Sequence, residues 1–316
     1  MKEEPVDVKD IQRVTIIGTG NMGTGIAQTF ARAGMPVTLH DSDAARLPRV
    51  EDVIRKDMEG LVSLNGLAPD VVGRALEQVR TAPSLETAVA DADLVIEAVF
   101  ENKELKQEVF RRLDAACPPS TILASNTSSL MPSTFAAATL YPERVLVAHY
   151  FYPAYLMPLV EIVPCAQTTE DAVQAVYRVL TVTGKSPIIL RKEALGFVGT
   201  RLQMALAREC LSIVEKGIAS PQDVDIAVKT SFGRRLGVAG PFEIFEVQDG
   251  WDLLLAAMGY IISDLSNATE PSTLMRQWVA QGGLGAKSGR GVYDWPPEAV
   301  DAWKKRLFAA LVRQAA

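Results

Sequence analysis

Two hydrophobic rhythms divide this chain. Through roughly the first 190 of its 316 residues, short apolar runs rich in Val, Ile and Leu alternate with longer stretches whose apolar residues recur every three or four positions. A continuous run suits a strand buried on both faces, and the three-to-four spacing marks one face of a helix. Strands are expected at 14–17, 36–40, 94–97, 121–124, 145–148, 160–163 and 186–190, with helices at 25–33, 43–65, 69–79, 84–91, 102–115 and 169–182. Within 102–115, Leu105, Val109, Phe110 and Leu113 fall at core spacing behind Asn102 as a cap. This alternation argues for a mostly parallel sheet covered on both faces, with an antiparallel edge where the later strands crowd together.

From Leu195 only the helical rhythm remains, over 197–216, 221–230, 241–248, 251–264, 270–280 and 298–313. Pro221 at the first helical position and Asp223 in the first turn suit a helix start. The expected organisation is an α/β domain over residues 1–192 followed by an all-helical domain over 193–316. The long apolar helices of the second half exceed its own needs and make it a reasonable dimerisation surface.

The strongest local pattern lies near the start. The strand at 14–17 ends at Gly18-Thr19-Gly20-Asn21-Met22-Gly23, a helix runs to Gly34, and the next strand ends at Asp41, 23 residues after Gly18. Each glycine has its own reason. Gly18 permits the tight turn, Gly20 lets the main chain approach a pyrophosphate, and Gly23 lets the helix lie close to the sheet. The helix N-terminus adds unpaired N–H groups and partial positive charge for the phosphates. With strand, helix and acid in place, the pattern reads as a Rossmann-type dinucleotide site. Asp41 can accept hydrogen bonds from both adenosine ribose hydroxyls and would repel a 2′-phosphate, which favours NAD over NADP. Arg46 and Arg49, nearby, read as a solvated helix face.

Composition narrows the partners. With 38 acidic and 32 basic side chains, a net charge near -6 and no basic block, nucleic-acid binding is not expected. The longest apolar stretch, 253–262, is about half a bilayer span. No apolar segment follows the opening Met-Lys-Glu-Glu-Pro, so neither a membrane span nor a signal peptide is expected. Cys117, Cys165 and Cys210 are too scattered for a disulfide framework or a metal cluster, and His40 and His149 are the only histidines. No metal is expected, and a reducing, cytoplasmic compartment is.

His149 ends the strand at 145–148, where α/β sheets present catalytic groups beside a cofactor. Glu161, twelve residues on, opens the next strand, so adjacent strands can bring the two together. A carboxylate on one imidazole nitrogen fixes the tautomer and leaves the other nitrogen to take a hydroxyl proton, as a nicotinamide enzyme oxidising an alcohol requires. The alternative is a satisfied core histidine with a surface acid. Ser128 and Ser129 follow a strand end and can donate to a developing alkoxide or simply cap a turn. Cys165, with no second histidine to activate it, reads as structural.

These segments together resemble the 3-hydroxyacyl-CoA dehydrogenase family over nearly the whole chain. The matching stretches are Gly18-Thr-Gly-Asn-Met-Gly-Thr-Gly-Ile-Ala27, Val95-Ile-Glu-Ala-Val-Phe-Glu101, Ser125-Asn-Thr-Ser-Ser-Leu130, His149, Pro158-Leu-Val-Glu161, Gly196-Phe-Val198 with Arg201, Gly240-Pro-Phe-Glu243 and Lys287-Ser-Gly-Arg-Gly-Val-Tyr293. The resemblance implies His149 as general base oriented by Glu161, and Ser128 at the reacting hydroxyl. It places Glu101, Lys106 and Asn126 beside the nicotinamide half of NAD, and it implies a homodimer built through the helical domain. Two positions depart from the family pattern: Tyr152 and Thr200 stand where asparagines are usual, and both fall at the substrate.

The stretch Ser231-Phe-Gly-Arg-Arg-Leu-Gly-Val-Ala-Gly-Pro241 is similar to the branch that contains lambda-crystallin and L-gulonate 3-dehydrogenase, whose members oxidise small free 3-hydroxy acids. There Arg235, with Arg234 beside it, would bind a carboxylate bidentately, or would form a charged loop between helices. The expected activity is NAD-dependent oxidation of a free 3-hydroxy acid. The open alternatives are a 3-hydroxyacyl-CoA substrate and a non-catalytic NAD-binding homologue.

Overall fold

The computed structural model describes residues 10–315, so the Met-Lys-Glu-Glu-Pro stretch lies outside the described residues. Eight strands form one sheet: β1 (Val14–Ile17), β2 (Val37–His40), β3 (Val79–Thr81), β4 (Leu94–Glu97), β5 (Ile122–Ser125), β6 (Val145–Tyr150), β7 (Leu159–Pro164) and β8 (Ser186–Ile189). Their spatial order is β3-β2-β1-β4-β5-β6-β7-β8. All neighbours are parallel except β6 and β7, which pair antiparallel. Chain order reverses at β1, and the crevice beyond the strand ends at such a switch point is where this class of sheet binds ligands.

The connecting helices are α1 (Asn21–Arg32), α2 (Val50–Ser63), α3 (Pro69–Leu76), α4 (Leu85–Val89), α5 (Lys103–Ala116), α6 (Ser133–Ala136) and α7 (Glu170–Val182). Strand residues feed two cores by turns, as a period of two requires. Ile16, Leu39, Ile96, Leu146 and Ala148 pack on the side of α1 and α7, while Ile17, Val95, Leu123 and Val147 pack on the side of α5 and α6. Between the first two strands Gly34 closes α1, with a φ of 77° that suits glycine.

Three local expectations give way. The helix expected to open at 43 begins as a 3₁₀ turn, Ala44–Arg49, because Pro48 lacks an N–H donor. Strand β3 falls where the pattern expects a helix end; three residues with one apolar side chain are too few to register as a strand. The helix expected over 241–248 stops at Ile244, and Phe245–Asp249 form a π turn that ends at Gly250, φ 74°.

The chain divides into two compact units. One holds the described residues up to Thr200 together with the C-terminal return from Leu311, and the other holds Arg201–Ala310. Set against a boundary at 192, the first unit extends further because Phe197 is buried in its core and the Val198 and Gly199 amides bond within it. At the return, Val312 seats against Gly66, where a Cβ would come within 2.7 Å of it. Most of α8 (Gly199–Glu215) lies in the second unit, followed by α9 (Pro221–Thr230), α10 (Phe232–Arg235), α11 (Pro241–Ile244), α12 (Gly250–Ile261), α13 (Thr273–Ala280) and α14 (Pro297–Ala315). No described helix is long and apolar enough to cross a membrane.

Arg144 and Asp114 form a buried ion pair at 2.8 Å that pins the start of β6 to the end of α5. The guanidinium also donates to the carbonyls of Pro118, Thr121 and Asp114. Removing one member of such a pair strands the other charge in the core. Asp114→Ala is expected to destabilise the first unit by about 3–5 kcal/mol, read as a lower urea midpoint with unchanged slope.

Candidate functional site

The site is assembled from strand ends. At the β1–α1 turn, Gly18 adopts φ 104°, and a Cβ there would lie 2.7 Å from the Ala98 carbonyl oxygen. A Cβ on Gly23 would lie 1.8 Å from the Gly18 carbonyl oxygen, so only glycine lets α1 seat this close to the sheet. Gly20 is the reverse case: beyond its own chain neighbours, nothing lies within 4 Å of where its Cβ would be. The main chain is open there, as close approach of a pyrophosphate requires. Asn21 and Met22 follow at the start of α1, and with Gly18, Gly20 and Asp41 they line a cleft of about 440 Å³.

Asp41 sits at the end of β2. Its Oδ2 accepts from the Thr19 amide and the Thr19 hydroxyl, both at 2.8 Å, and its Oδ1 accepts from the Asp43 amide at 2.9 Å. Burial opposes ionisation, but these donors and Arg46 outweigh it and hold the carboxyl below its ordinary value. An ionised, half-buried acceptor at the edge of the cleft suits two ribose hydroxyls, and the residues present fit NAD.

A second cluster forms where β4 and β5 end. Lys106 is almost fully buried on α5, and its ammonium lies 2.7 Å from Glu97 and 3.4 Å from Glu101. The other Glu97 oxygen accepts from the Ser125 hydroxyl at 2.7 Å. Glu101 also accepts from the Thr127 hydroxyl and, at 2.6 Å, from Ser129. Burial raises its pKa, yet the two hydroxyls and Lys106 bring it below the usual carboxylate value. The Lys106 ammonium thus bridges the Glu97 and Glu101 carboxylates. The Asn126 side-chain oxygen accepts from the Tyr150 amide at 2.8 Å. Ser128, in the same turn, is exposed.

His149 and Glu161 stand directly opposite each other in the β6–β7 ladder. Because that pair of strands is antiparallel, a spacing of twelve becomes a cross-strand contact with both side chains on one face. Nδ1 of His149 lies 2.8 Å from Oε2 of Glu161, whose other oxygen accepts the Val198 and Gly199 amides at 2.8 and 2.9 Å. Burial raises the Glu161 pKa, but the imidazole and the two amides together lower it below its ordinary value. The rings of Phe151 and Phe197 flank the imidazole at 4.5 and 5.5 Å.

The motif reading missed the two amides, Glu97 and Phe197. Phe197 holds φ 51°, a left-handed backbone that non-glycine residues rarely adopt, and it persists here beside the His149 ring. Gly199 is required for a different reason, since a Cβ would lie 2.5 Å from the Phe151 ring. The adjacent Gly196-Phe-Val stretch was the available signal.

Thr200 is half-buried and adjoins the amides that hold Glu161. Tyr152 is about half exposed, three residues beyond His149. Arg234 and Arg235 lie exposed on α10 of the second unit. Among the described residues no cluster of His, Cys, Asp or Glu is set to hold a metal ion.

The family described as 3-hydroxyacyl-CoA dehydrogenase, NAD binding domain, matches residues 13–194, and its C-terminal domain matches residues 196–295. The chain belongs to this family: an NAD-dependent oxidoreductase with a Rossmann-like domain followed by a largely helical one, of the superfamily that oxidises 3-hydroxyl groups. It is 31% identical to a 5-formyl-3-hydroxy-2-methylpyridine 4-carboxylate 5-dehydrogenase of Mesorhizobium japonicum, over 96% of this chain and 98% of that one. A crystal structure of an enzyme of that name, an NAD⁺-dependent dismutase, superposes with a TM-score of 0.89 at 30% identity, covering 96% of this chain and 98% of that one.

A probable 3-hydroxybutyryl-CoA dehydrogenase of Bacillus subtilis is 34% identical over 90% of this chain and 98% of its own. A human lambda-crystallin homolog is 35% identical over 73% of this chain and 72% of its own. The likeness extends across the superfamily and does not single out the lambda-crystallin branch.

Glu161 makes stability depend on pH in a definite direction. Its folded pKa lies below its unfolded one, so its contribution is present above the unfolded carboxyl value, about 4.3, and is lost as pH falls through the folded value. Glu161→Gln is expected to flatten that acid-side loss. Unfolding midpoints between pH 3 and 6 for variant and wild type check it; parallel curves would contradict it.

Proposed function

We propose that the protein oxidises the 3-hydroxyl of a small free hydroxy acid, in the manner of the branch containing lambda-crystallin and L-gulonate 3-dehydrogenase. The observation that carries the alcohol chemistry is the buried 2.8 Å contact between His149 and Glu161. With the carboxylate on Nδ1, the neutral ring keeps its proton there and presents the Nε2 lone pair to the substrate hydroxyl. As the proton arrives, the Glu161 carboxylate stabilises the imidazolium. Ser128 and Thr200 supply hydroxyl donors for the substrate oxygen. Gly18, Gly20, Asn21, Met22 and Gly23 hold the cofactor's pyrophosphate, Asp41 its adenosine ribose, and Glu101 with Asn126 its nicotinamide half. When bound, NAD supplies the carbon that accepts the hydride.

Three observations support a free acid. Tyr152 and Thr200 replace the amides of the acyl-CoA pattern, and Arg234 and Arg235 offer guanidinium groups for a carboxylate. The Mesorhizobium japonicum relative, which matches over 96% of this chain, is named for a pyridine carboxylate without CoA. The second reading, a 3-hydroxyacyl-CoA, is favoured by the likeness to the Bacillus subtilis protein.

NADH formation across a panel of free 3-hydroxy acids and 3-hydroxyacyl-CoAs separates the two. Turnover of free acids is expected, with kcat down about 10²–10⁴-fold in His149→Ala and NAD affinity unchanged. Arg235→Ala should raise KM more for the acid than for a CoA ester. Turnover of CoA esters alone would overturn the free-acid reading.

A second copy of the chain is the proposed partner. No residue of α12 is buried although the helix is mostly apolar; Leu255 is 74% exposed and Tyr260 86%. Large apolar side chains left exposed along one helix point to a surface that a partner covers. Sedimentation should show a dimer, and Leu255→Lys with Tyr260→Lys should shift it to monomer. A monomeric wild type at micromolar concentration would refute this.

A further inference from the structure

The connection between β6 and β7, residues 151–158, links the strand of His149 to the strand of Glu161 and carries Tyr152. Its main chain is gripped from outside by two cations. Lys185, just before β8, donates from Nζ to the carbonyls of Ala154 at 2.5 Å and Met157 at 2.9 Å. The same ammonium lies 5.9 Å from the centre of the Tyr150 ring. Arg32, in the last turn of α1, donates from Nη1 to the carbonyl of Tyr155 at 3.3 Å. One face of α1 is shaped for this contact, since a Cβ on Gly25 would lie 3.3 Å from the Ala154 Cβ and 3.5 Å from the Tyr155 ring.

We propose that Lys185 and Arg32 are positioning residues: a pair of cations that clamps three carbonyls of the β6–β7 connection and thereby holds Tyr152 at the substrate end of the site. The assignment of Tyr152 to the substrate rests on the function proposed above; the clamp itself does not. Neither cation forms a carboxylate ion pair among the described residues, so the carbonyls carry the solvation that water would otherwise provide. A main-chain carbonyl cannot withdraw by changing rotamer as a surface carboxylate can. The cations thus fix the path of the backbone.

The clamp has a pH signature. Burial, and then the Arg32 charge, lower the Lys185 pKa to about 8. The groups that face the ammonium are Arg32 from α1, the Tyr150 ring from β6 and the carbonyls of the connection. The acids of α7, Glu170 and Asp171, open that helix, about 20 Å from its Lys185 end. In a released connection Lys185 regains an ordinary lysine value near 10.4. Seating then releases a proton between these two values, so rising pH favours the clamped state, in which the neutral amine still has N–H donors for both carbonyls. From pH 7 to 9 the opening constant should fall about tenfold. Arginine at 185 does not titrate in this range and should abolish the dependence.

The test is amide exchange at Leu156 and Met157, whose N–H groups bond to the Pro153 carbonyl within the connection. Exchange is corrected for intrinsic base catalysis and followed in wild type, Lys185→Met and Lys185→Arg, alongside KM and kcat with the best substrate of the panel. The expected result is a tenfold fall in opening for wild type between pH 7 and 9. Lys185→Met should exchange faster with no pH dependence, and Lys185→Arg should hold the protection of wild type at pH 7 across the whole range. KM should rise about fivefold or more in Lys185→Met, with kcat changed less than twofold and rescue by Lys185→Arg. Equal exchange in wild type and Lys185→Met, or wild-type opening that is flat or rises with pH, overturns the clamp. If no hydroxy acid or CoA ester turns over, the proposed function fails while the exchange arms still decide the clamp. If Lys185→Met does not fold, the wild-type pH series and Lys185→Arg decide it.

Discussion

A buried carboxylate with three donors organises this site. Glu161 is wholly buried, and moving an ionised carboxyl out of water costs several kcal/mol even after relaxation. Its compensation is local: the His149 ring nitrogen and the Val198 and Gly199 amides, each within 3 Å. Hydrogen bonds to a charged group contribute about 1.5–3 kcal/mol each, so three of them are the right size to offset the burial. Removing any one shifts the balance for the others. The carboxylate thereby couples ring orientation on β6 to the chain path that enters α8, and the left-handed backbone of Phe197 is held within this arrangement.

How much of this could be read from the chain depends on how local each determinant is. The glycine turn was legible because every requirement on it lies within about 25 residues and is imposed by backbone geometry. His149 and Glu161 were legible as a pair only through a guess about strand adjacency; once β6 and β7 are antiparallel, the twelve-residue spacing makes them partners in register. Val198 and Gly199 were not legible in that role, because a backbone amide has no residue-type signature. The structure identifies them as donors only by placing them beside Glu161. Lys106 shows the opposite limit. The resemblance implies for it a place beside the cofactor, and its buried ion pairs to Glu97 and Glu101 are contacts that no spacing in the sequence announces. The edge strand β3 and the Pro48 turn went unread because three residues and one proline leave too little periodicity to weigh.

The second unit raises a different issue. Helix α9 falls at 221–230 as expected, yet α12 keeps its apolar residues exposed. Helical periodicity reports that a face will be covered and is silent about which chain covers it. That is why an apolar surplus could be noticed in the sequence while its partner had to be proposed.

The cofactor side shares one design with the catalytic pair. Asp41 is already held by Thr19 and Asp43, and Glu101 by Thr127, Ser129 and Lys106, so both carboxylates are ionised and oriented by the protein itself. A ligand that meets such groups need not order them, and the entropy of fixing a long acidic side chain has been spent in folding. The same logic separates the ends of the site. Asp41 and Glu101 are braced by several donors each and His149 by the Glu161 carboxylate, whereas the Tyr152 ring stays about half exposed. Chemistry common to a family demands the first arrangement. Selection among substrates can be tuned at the second without disturbing Glu161.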